Sequence, residues 1–409
     1  MKKTEVCIVG AGPSGAIAAL FLAKFGINCT LIDKATFPRD KICGDGISGW
    51  VVTILNELDK DLLIRLSKQT FLLPSYGMRL VAPNFKSLDL PFLDDNPSDI
   101  PPGFIGKRID FDNFLIDEVK SKKEIELLEN TEIIGYKKEK GGFRLQTDND
   151  IEIFCKIVIF SNGANSKFMQ DPGGIYKSKS NIMTGLKTYY KGVTGFHDQN
   201  YVELHFLKDI IPGYFWIFPL PNGLANVGIG LDQERIKKKK LNLKNIMLDA
   251  IENVPYLKER FKDAEMVSKI QAFGLPLWDG KRFISGDHYM LTGDAASLID
   301  PVTGEGMGHA VISGMYAAEQ CKRSLESNNF SAKFMRSYDQ QVYNRIGKEL
   351  KISSKIVHFI KYPWLFNMVV NKANNSALLK EKLTLAMTDL KVRKELNNPL
   401  LYVKVLLGK

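Results

Sequence analysis

The sequence predicts an α/β chain, α+β overall. A doubly wound nucleotide-binding domain carries an inserted antiparallel β-sheet substrate domain and leads into a C-terminal helical region. Three observations predict it. A strand, glycine turn, helix and second strand open the chain. Apolar strands ending in glycine recur at 156–163 and 288–296, and the stretch between them alternates with a period of two.

In order along the chain, "EVCIVG" (5–10) reads as a buried strand. "AGPSGAIAALFLAKFG" (11–26) reads as a turn and an alanine-rich helix ending at Gly26, and "CTLID" (29–33) as a second strand. Together they form a Rossmann-like βαβ unit. "KIVIFSNG" (156–163) and "HYMLTGDAA" (288–296) are further glycine-ended strands, and "GEGMGHAVISGMYAAEQC" (304–321) is a glycine-opened helix. "YVELHFL" (201–207) alternates, and "GYFWIFPLPNGLANVGIGLD" (213–232) reads as a hairpin turning on Pro-Asn-Gly. From about 331 the pattern is helical and rich in lysine. The expected division is 1–75, 101–170 and 275–330 for the nucleotide domain, 76–100 and 171–274 for the antiparallel domain, and 331–409 for the helical region.

Composition narrows the function classes. The 409 residues carry a net charge of +10, with 44% hydrophobic and 25% charged residues, as in an ordinary globular protein of two or three domains. The densest basic run, 237–240, reads as a solvated face. A basic surface also suits anionic lipid headgroups or a phosphorylated substrate, but no aromatic-and-basic patch argues for nucleic acid. Five widely spaced cysteines, at 7, 29, 43, 155 and 321, with no CxxC, speak against a disulfide framework and a zinc site and fit a reducing cytoplasm. The N-terminal apolar run is too short for a signal peptide and enters a glycine motif directly. The longest apolar stretch near the C-terminus, 356–370, is broken by His358, Lys361 and Pro363, so no membrane span is expected.

Gly10, Gly12 and Gly15 form GxGxxG between strand and helix. The first makes the tight turn, the second lets backbone meet a pyrophosphate, and the third permits close helix–strand packing. Asp33 closes the second strand 18 residues after Gly15, where its carboxylate can accept from a ribose hydroxyl. The motif alone does not separate NAD from FAD. Asp294 follows a strand and Gly293, within reach of a polyol chain. Gly304, Gly306 and Gly308 open a helix whose N–H groups and dipole face a ring that turns anionic on reduction. Two sites nearly 300 residues apart suit a long, two-headed cofactor, and FAD fits better than a nicotinamide.

The motifs "GAGPSG" (10–15), "FPRDKICGDGIS" (37–48), "GYFWIFPLPNGLANVGIG" (213–230) and "GDAASLIDPVTGEGM" (293–307) resemble the geranylgeranyl reductase family of FAD-dependent oxidoreductases, with the p-hydroxybenzoate hydroxylase fold. The resemblance covers roughly 1–325. It implies cofactor contacts from Gly10, Gly12, Pro13, Ser14, Gly15, Asp33, Lys34, Arg39, Cys43, Gly44, Asp45, Arg108, Gly293, Asp294, Gly304, Gly306 and Met307. Arg108 also reads as one half of a surface ion pair with Asp110 or Asp112.

The strand "YFWIF" puts Tyr214, Trp216 and Phe218 on one face, and Phe215 and Ile217 on the other. The three rings read as domain core or, by the resemblance, as a substrate wall beside the flavin. Such a wall suits an isoprenoid or other apolar chain and the cationic character of its protonated alkene. Cys43, Tyr214 and Trp216 are the candidate catalytic residues, with Tyr214, Trp216 and Phe218 binding substrate. A thiol is a weak acid of pKa about 8.5, so Cys43 is a poor sole proton donor. It reads as an orienting or relaying group, or as a compact filler in a crowded loop, with Asp45 capping that loop's N–H groups. Two rivals stand beside the reductase reading. One is a flavin monooxygenase or halogenase, although hydroxylases of the fold carry Asp-Gly where this chain has Asn162-Gly163. The other is a flavin-binding redox sensor without turnover. NAD(P)H or a small electron carrier is the expected reductant. Trp364 and Phe366 mark a C-terminal segment that either dips into a membrane surface or packs as an ordinary helix.

Overall fold

The computed structural model describes residues 1–92, 100–164 and 181–388; the expected boundary at 170/171 and the helical region beyond 388 lie outside the described residues. One sheet is built on five parallel strands, in the spatial order Tyr289–Leu291, Glu152–Phe160, Lys2–Val9, Cys29–Ile32 and Ile125–Leu128. Their apolar runs, Val6 to Val9 and Ile157 to Phe160, are buried without alternation, as strands covered on both faces require. Chain order reverses between Lys2–Val9 and Glu152–Phe160. Val9 lies opposite both Ile32 and Phe160, and Phe160 lies opposite Leu291. Four strands therefore end at one level, and the turns that follow emerge together at the switch point. A chain of hydroxyls ties three of them: Ser161 to Thr292 at 2.7 Å, and Thr292 to Ser14 at 3.2 Å.

The motif glycines differ in what they do. A Cβ on Gly15 would lie 1.9 Å from the Gly10 carbonyl oxygen, and one on Gly10 (φ 103°) would lie 2.5 Å from that of Ser161. Those two are dictated by backbone packing. A Cβ on Gly12 would meet only the Arg39 guanidinium, at 3.6 Å, so Gly12 borders open space.

Among the described residues the second sheet has eight strands. The aromatic strand Tyr214–Leu220 lies between Leu224–Asp232 and Val202–His205, and the latter pairs in parallel with Gly77–Val81. The hairpin turns at Pro221–Gly223, where Asn222 and Gly223 take positive φ of 61° and 69°, the conformation that Asn-Gly favours. Strand Gln271–Pro276 of this sheet runs across the expected boundary at 274/275. Phe215 and Ile217 enter a core with Val227, Ile229 and Met247. Tyr214, Trp216 and Phe218 face the other way, with Met183, Leu204 and Phe206.

Helices Ala332–Arg345, Gly347–Ile360, Pro363–Asn374 and Ala377–Thr388 follow. Ile356, Ile360 and Phe366 pack onto the aromatic cluster, and the Phe366 ring lies 4.8 Å from that of Phe206. Trp364 is 64% exposed. The two aromatics read together in the sequence thus divide, one packing and one facing outward. The lysine run closes the short helix Gln233–Lys239 and is solvated. Among the described residues no helix is long and apolar enough to cross a membrane.

The glycine geometry makes a paired prediction. Gly15→Ala should lower the unfolding free energy by about 1–3 kcal/mol through overpacking, whereas Gly12→Ala should leave it unchanged and weaken FAD retention. Urea denaturation and the flavin absorbance of the purified variants check both arms.

Candidate active site

A cavity of about 720 Å³ opens where the two sheets meet. From the first sheet come Gly12, Pro13 and Ser14 at the start of helix Pro13–Lys24, and Asp294, Gly304, Gly306 and Met307 at the start of helix Met307–Ser327. Neither helix start has a side-chain cap from its N-cap residue, Gly12 or Gly306. The first leaves first-turn N–H groups and a positive dipole end available to an anion, whereas at the second the Glu305 side chain accepts from the Gly308 N–H at 2.6 Å. From the second sheet come Tyr214, Trp216 and Phe218, and between the two lies the Cys43–Gly44 loop with Arg108. Open space at Gly12, the uncapped start of helix Pro13–Lys24 and one continuous hollow running from it to the Met307 helix fit a long cofactor such as FAD.

Seven residues expected at the cofactor lie outside this cavity. Gly10, Gly15 and Gly293 shape backbone. Asp33 accepts from the Ala11 and Ala35 N–H groups at 2.8 and 2.9 Å, pinning the glycine turn from the end of its strand. Lys34 is exposed beside it. Arg39 pairs with Asp112 at 2.7 Å and points past Gly12. Arg108, which does line the cavity, is paired bidentately with Asp112 at 2.7 Å on each arm. The ion pair expected at the surface is therefore buried. Burial alone would push the Asp112 carboxyl up; the Arg108 charge and hydrogen bonds, then Arg39, hold it low.

Asp45 departs most from expectation. It is fully buried behind the cavity with φ at 68°, and of backbone donors only the Arg108 N–H reaches it, at 3.4 Å. Its carboxylate instead accepts from the Tyr189 hydroxyl at 2.8 Å and the Asn226 amide at 2.7 Å. The same amide donates to the Cys43 carbonyl at 2.9 Å, while the Asn226 side-chain oxygen accepts from the Trp216 indole N–H at 2.9 Å. Lys187, itself fully buried, donates to the Tyr189 hydroxyl at 2.7 Å. Burial pushes the Asp45 carboxyl up; Lys187, Asn226, Tyr189 and Arg108 pull it part of the way back. One network thus fixes the Cys43 loop against the aromatic strand.

The loop's glycines follow from the same contact. Cβ atoms on Gly44 and Gly46 would sit 3.4 and 3.5 Å from the Phe218 ring, so that ring lies directly on the loop backbone. Trp216 lies on Gly228, where a Cβ would come within 2.1 Å of the indole. Tyr214 donates to the Thr303 carbonyl at 2.6 Å, and burial pushes its phenol well up. Cys43, the half-buried cysteine among five free thiols, lines the cavity next to Arg108. Sequence reasoning missed Asn226, Tyr189, Lys187, Glu305 and Glu349. Glu305 was findable, since it is the charged residue between two glycines of a quoted motif.

A family model described as an FAD binding domain matches residues 3–58, and one described as the geranylgeranyl reductase catalytic domain matches 182–273. The first spans the glycine turn and the Cys43 loop, the second the aromatic strand with Lys187, Tyr189 and Asn226. The chain is 32% identical over 357 residues to digeranylgeranylglycerophospholipid reductase of Thermoplasma volcanium, covering 85% of each. It is 25% identical over 372 residues to menaquinone reductase of Mycobacterium tuberculosis, covering 88% of this chain and 84% of the relative. A solved structure, a geranylgeranyl bacteriochlorophyll reductase-like protein from Thermoplasma acidophilum, superposes with a TM-score of 0.81 at 27% identity, covering 97% of this chain and 99% of its own.

Asn226→Ala strands the Trp216 N–H and the Cys43 carbonyl and removes one donor from Asp45 at once. It should cost about 2–4 kcal/mol, several unmade buried hydrogen bonds at roughly 1–3 kcal/mol each with partial relaxation. Chemical denaturation followed by tryptophan fluorescence measures it.

Proposed function

This chain belongs to the geranylgeranyl reductase family of FAD-dependent oxidoreductases, and from that premise we propose that it saturates isolated C=C bonds of a prenyl chain carried on a polar lipid. The observation that carries the reading is the meeting of a nucleotide-binding helix start, the Cys43 loop and three same-face aromatic rings in one cavity. In this reading Gly12, Pro13 and Ser14 receive the pyrophosphate, with Asp33, Lys34 and Arg39 at the same sheet edge serving the ribose and phosphates. Asp294, Gly304, Gly306 and Met307 serve the ribityl chain and ring, and Cys43 and Gly44 lie against the ring with Arg108 behind them. Gly10, Gly15, Gly293 and Asp45 shape the backbone around these contacts.

When bound and reduced by NAD(P)H or a small electron carrier, the flavin supplies a hydride equivalent. An isolated trisubstituted alkene is electron-rich and takes hydride only once a proton has created tertiary cation character. Tyr214, Trp216 and Phe218 offer π-systems to that charge, worth up to about 2 kcal/mol when desolvated. Met183, Leu204 and Leu275, which also line the cavity, keep water from trapping it. The lining continues to Met78 and Val202, an apolar path for the tail. A geranylgeranyl tail is what the names of the glycerophospholipid reductase relative and of the quoted solved structure have in common, so the proposal commits to the tail and leaves the headgroup outside. Tyr362 and Trp364, 56% and 64% exposed on either side of Pro363 and next to Lys361, suit peripheral contact with a lipid surface.

Anaerobic incubation of the reduced holoprotein with a geranylgeranyl glycerophospholipid should add two hydrogens per double bond, read by mass spectrometry. Oxygen consumed in proportion to an oxygenated or halogenated product would sink the reading, and a flavin that is reduced but never turns over would favour a sensor. Phe218→Leu should lower the single-turnover rate by roughly 10- to 30-fold, the rate equivalent of about 1.5–2 kcal/mol of lost π stabilisation.

A further inference from the structure

Resting on that reading, we infer that Glu305 is the acid that protonates the alkene. Glu305 lies between Gly304 and Gly306 and lines the cavity together with Cys43 and Tyr214. Its backbone is fixed by the Asp300 N–H, which donates to the Glu305 carbonyl at 2.8 Å. Its side chain is held by one oxygen. Oε1 accepts from the Ser48 hydroxyl at 2.8 Å and the Gly308 N–H at 2.6 Å. No donor among the described residues reaches Oε2, which is left to the cavity. A Cβ on Gly308 would come within 2.7 Å of Oε1, so the helix start is built around this carboxyl.

The other acids of the cavity are less suited. The Tyr214 hydroxyl is committed to the Thr303 carbonyl, and Cys43 faces the Arg108 guanidinium. Asp294 is ion-paired with Lys41 at 3.2 Å. An ordinary carboxylic acid is about four pKa units stronger than a thiol and nearly six stronger than a phenol. An alkene needs the strongest acid that can still hold a proton at working pH. Burial keeps the Glu305 carboxyl protonated to higher pH than usual. His309, the Gly308 N–H and Ser48 oppose that, and Glu349, on helix Gly347–Ile360, reinforces it.

The step balances within the proposed reaction. The Oε2–H bond breaks and a C–H bond forms at the less substituted alkene carbon. The π pair forms that bond and leaves a tertiary cation at the other carbon, and a hydride equivalent, which bound and reduced flavin would supply, would close the second C–H bond. The Glu305 carboxylate regains its proton from solvent.

Glu305→Gln keeps an oxygen to accept from Ser48 and Gly308, so the helix start survives while the proton is lost. The holoprotein variant should bind and reduce FAD as wild type does, yet reoxidise with geranylgeranyl lipid about 100- to 10,000-fold more slowly in anaerobic stopped flow. Independently of turnover, infrared spectra of the wild-type protein near neutral pH should contain a carboxylic acid C=O band that Glu305→Gln lacks. Glu349→Gln removes a like charge and should move the alkaline fall of the wild-type rate to lower pH. A Glu305→Gln rate equal to wild type, or no band assignable to this carboxyl, overturns the inference. A wild-type protein that leaves the lipid unchanged overturns the reductase reading instead.

Discussion

A single buried carboxylate holds the two sheets in working relation. Asp45 sits on a loop of the nucleotide-binding side, yet its strongest bonds are to Tyr189 and Asn226 of the other sheet. Taking an ionised carboxylate from water costs several kcal/mol, and a lone partner rarely offsets that. Here two neutral donors, the nearby Lys187 and Arg108 charges, and a left-handed backbone that aims the group act together. Because Asn226 also bonds Trp216 and the Cys43 carbonyl, the aromatic wall and the Cys43 loop are fixed by the group that fixes the sheets. A cavity built between domains usually loosens when the domains move. This one is bolted across its own floor.

The same arrangement explains the Cys43 loop. Its glycines lie where Phe218 rests on backbone, and its cysteine faces a guanidinium that is already paired with Asp112. The loop's conformation is thus set by an aromatic ring on one side and a buried polar network on the other. The family relatives named for a digeranylgeranyl glycerophospholipid and for menaquinone put reductase chemistry on this framework.

Much of this was legible in the chain. The turn at Gly10–Gly15, the strand ends at 160 and 291 and the alternation of residues 214–218 are local signals, because each follows from backbone sterics or a two-residue period within a few positions. The parts that were not legible are long-range. Asn226 meets Asp45 across 181 positions, and nothing near Asn226 announces a buried carboxylate. Asp45 itself looked like a local cap, since Asp in a glycine-rich loop commonly is one. Arg108 was readable as an ion pair, but not as one sealed from solvent. Glu349 sits in the helical region where the sequence carried no usable signal, yet that region closes one wall of the cavity.

The strand order has a consequence for how the molecule is made. The sheet that begins with the second residue is finished only by the strand at 289–291, and Gly77–Val81 waits for Val202–His205 before it has a neighbour on that side. A chain leaving the ribosome therefore carries unpaired sheet edges through most of its synthesis. Contacts this distant in order close slowly, and open edges invite intermolecular association meanwhile. These edges close only when nearly three quarters of the chain has emerged.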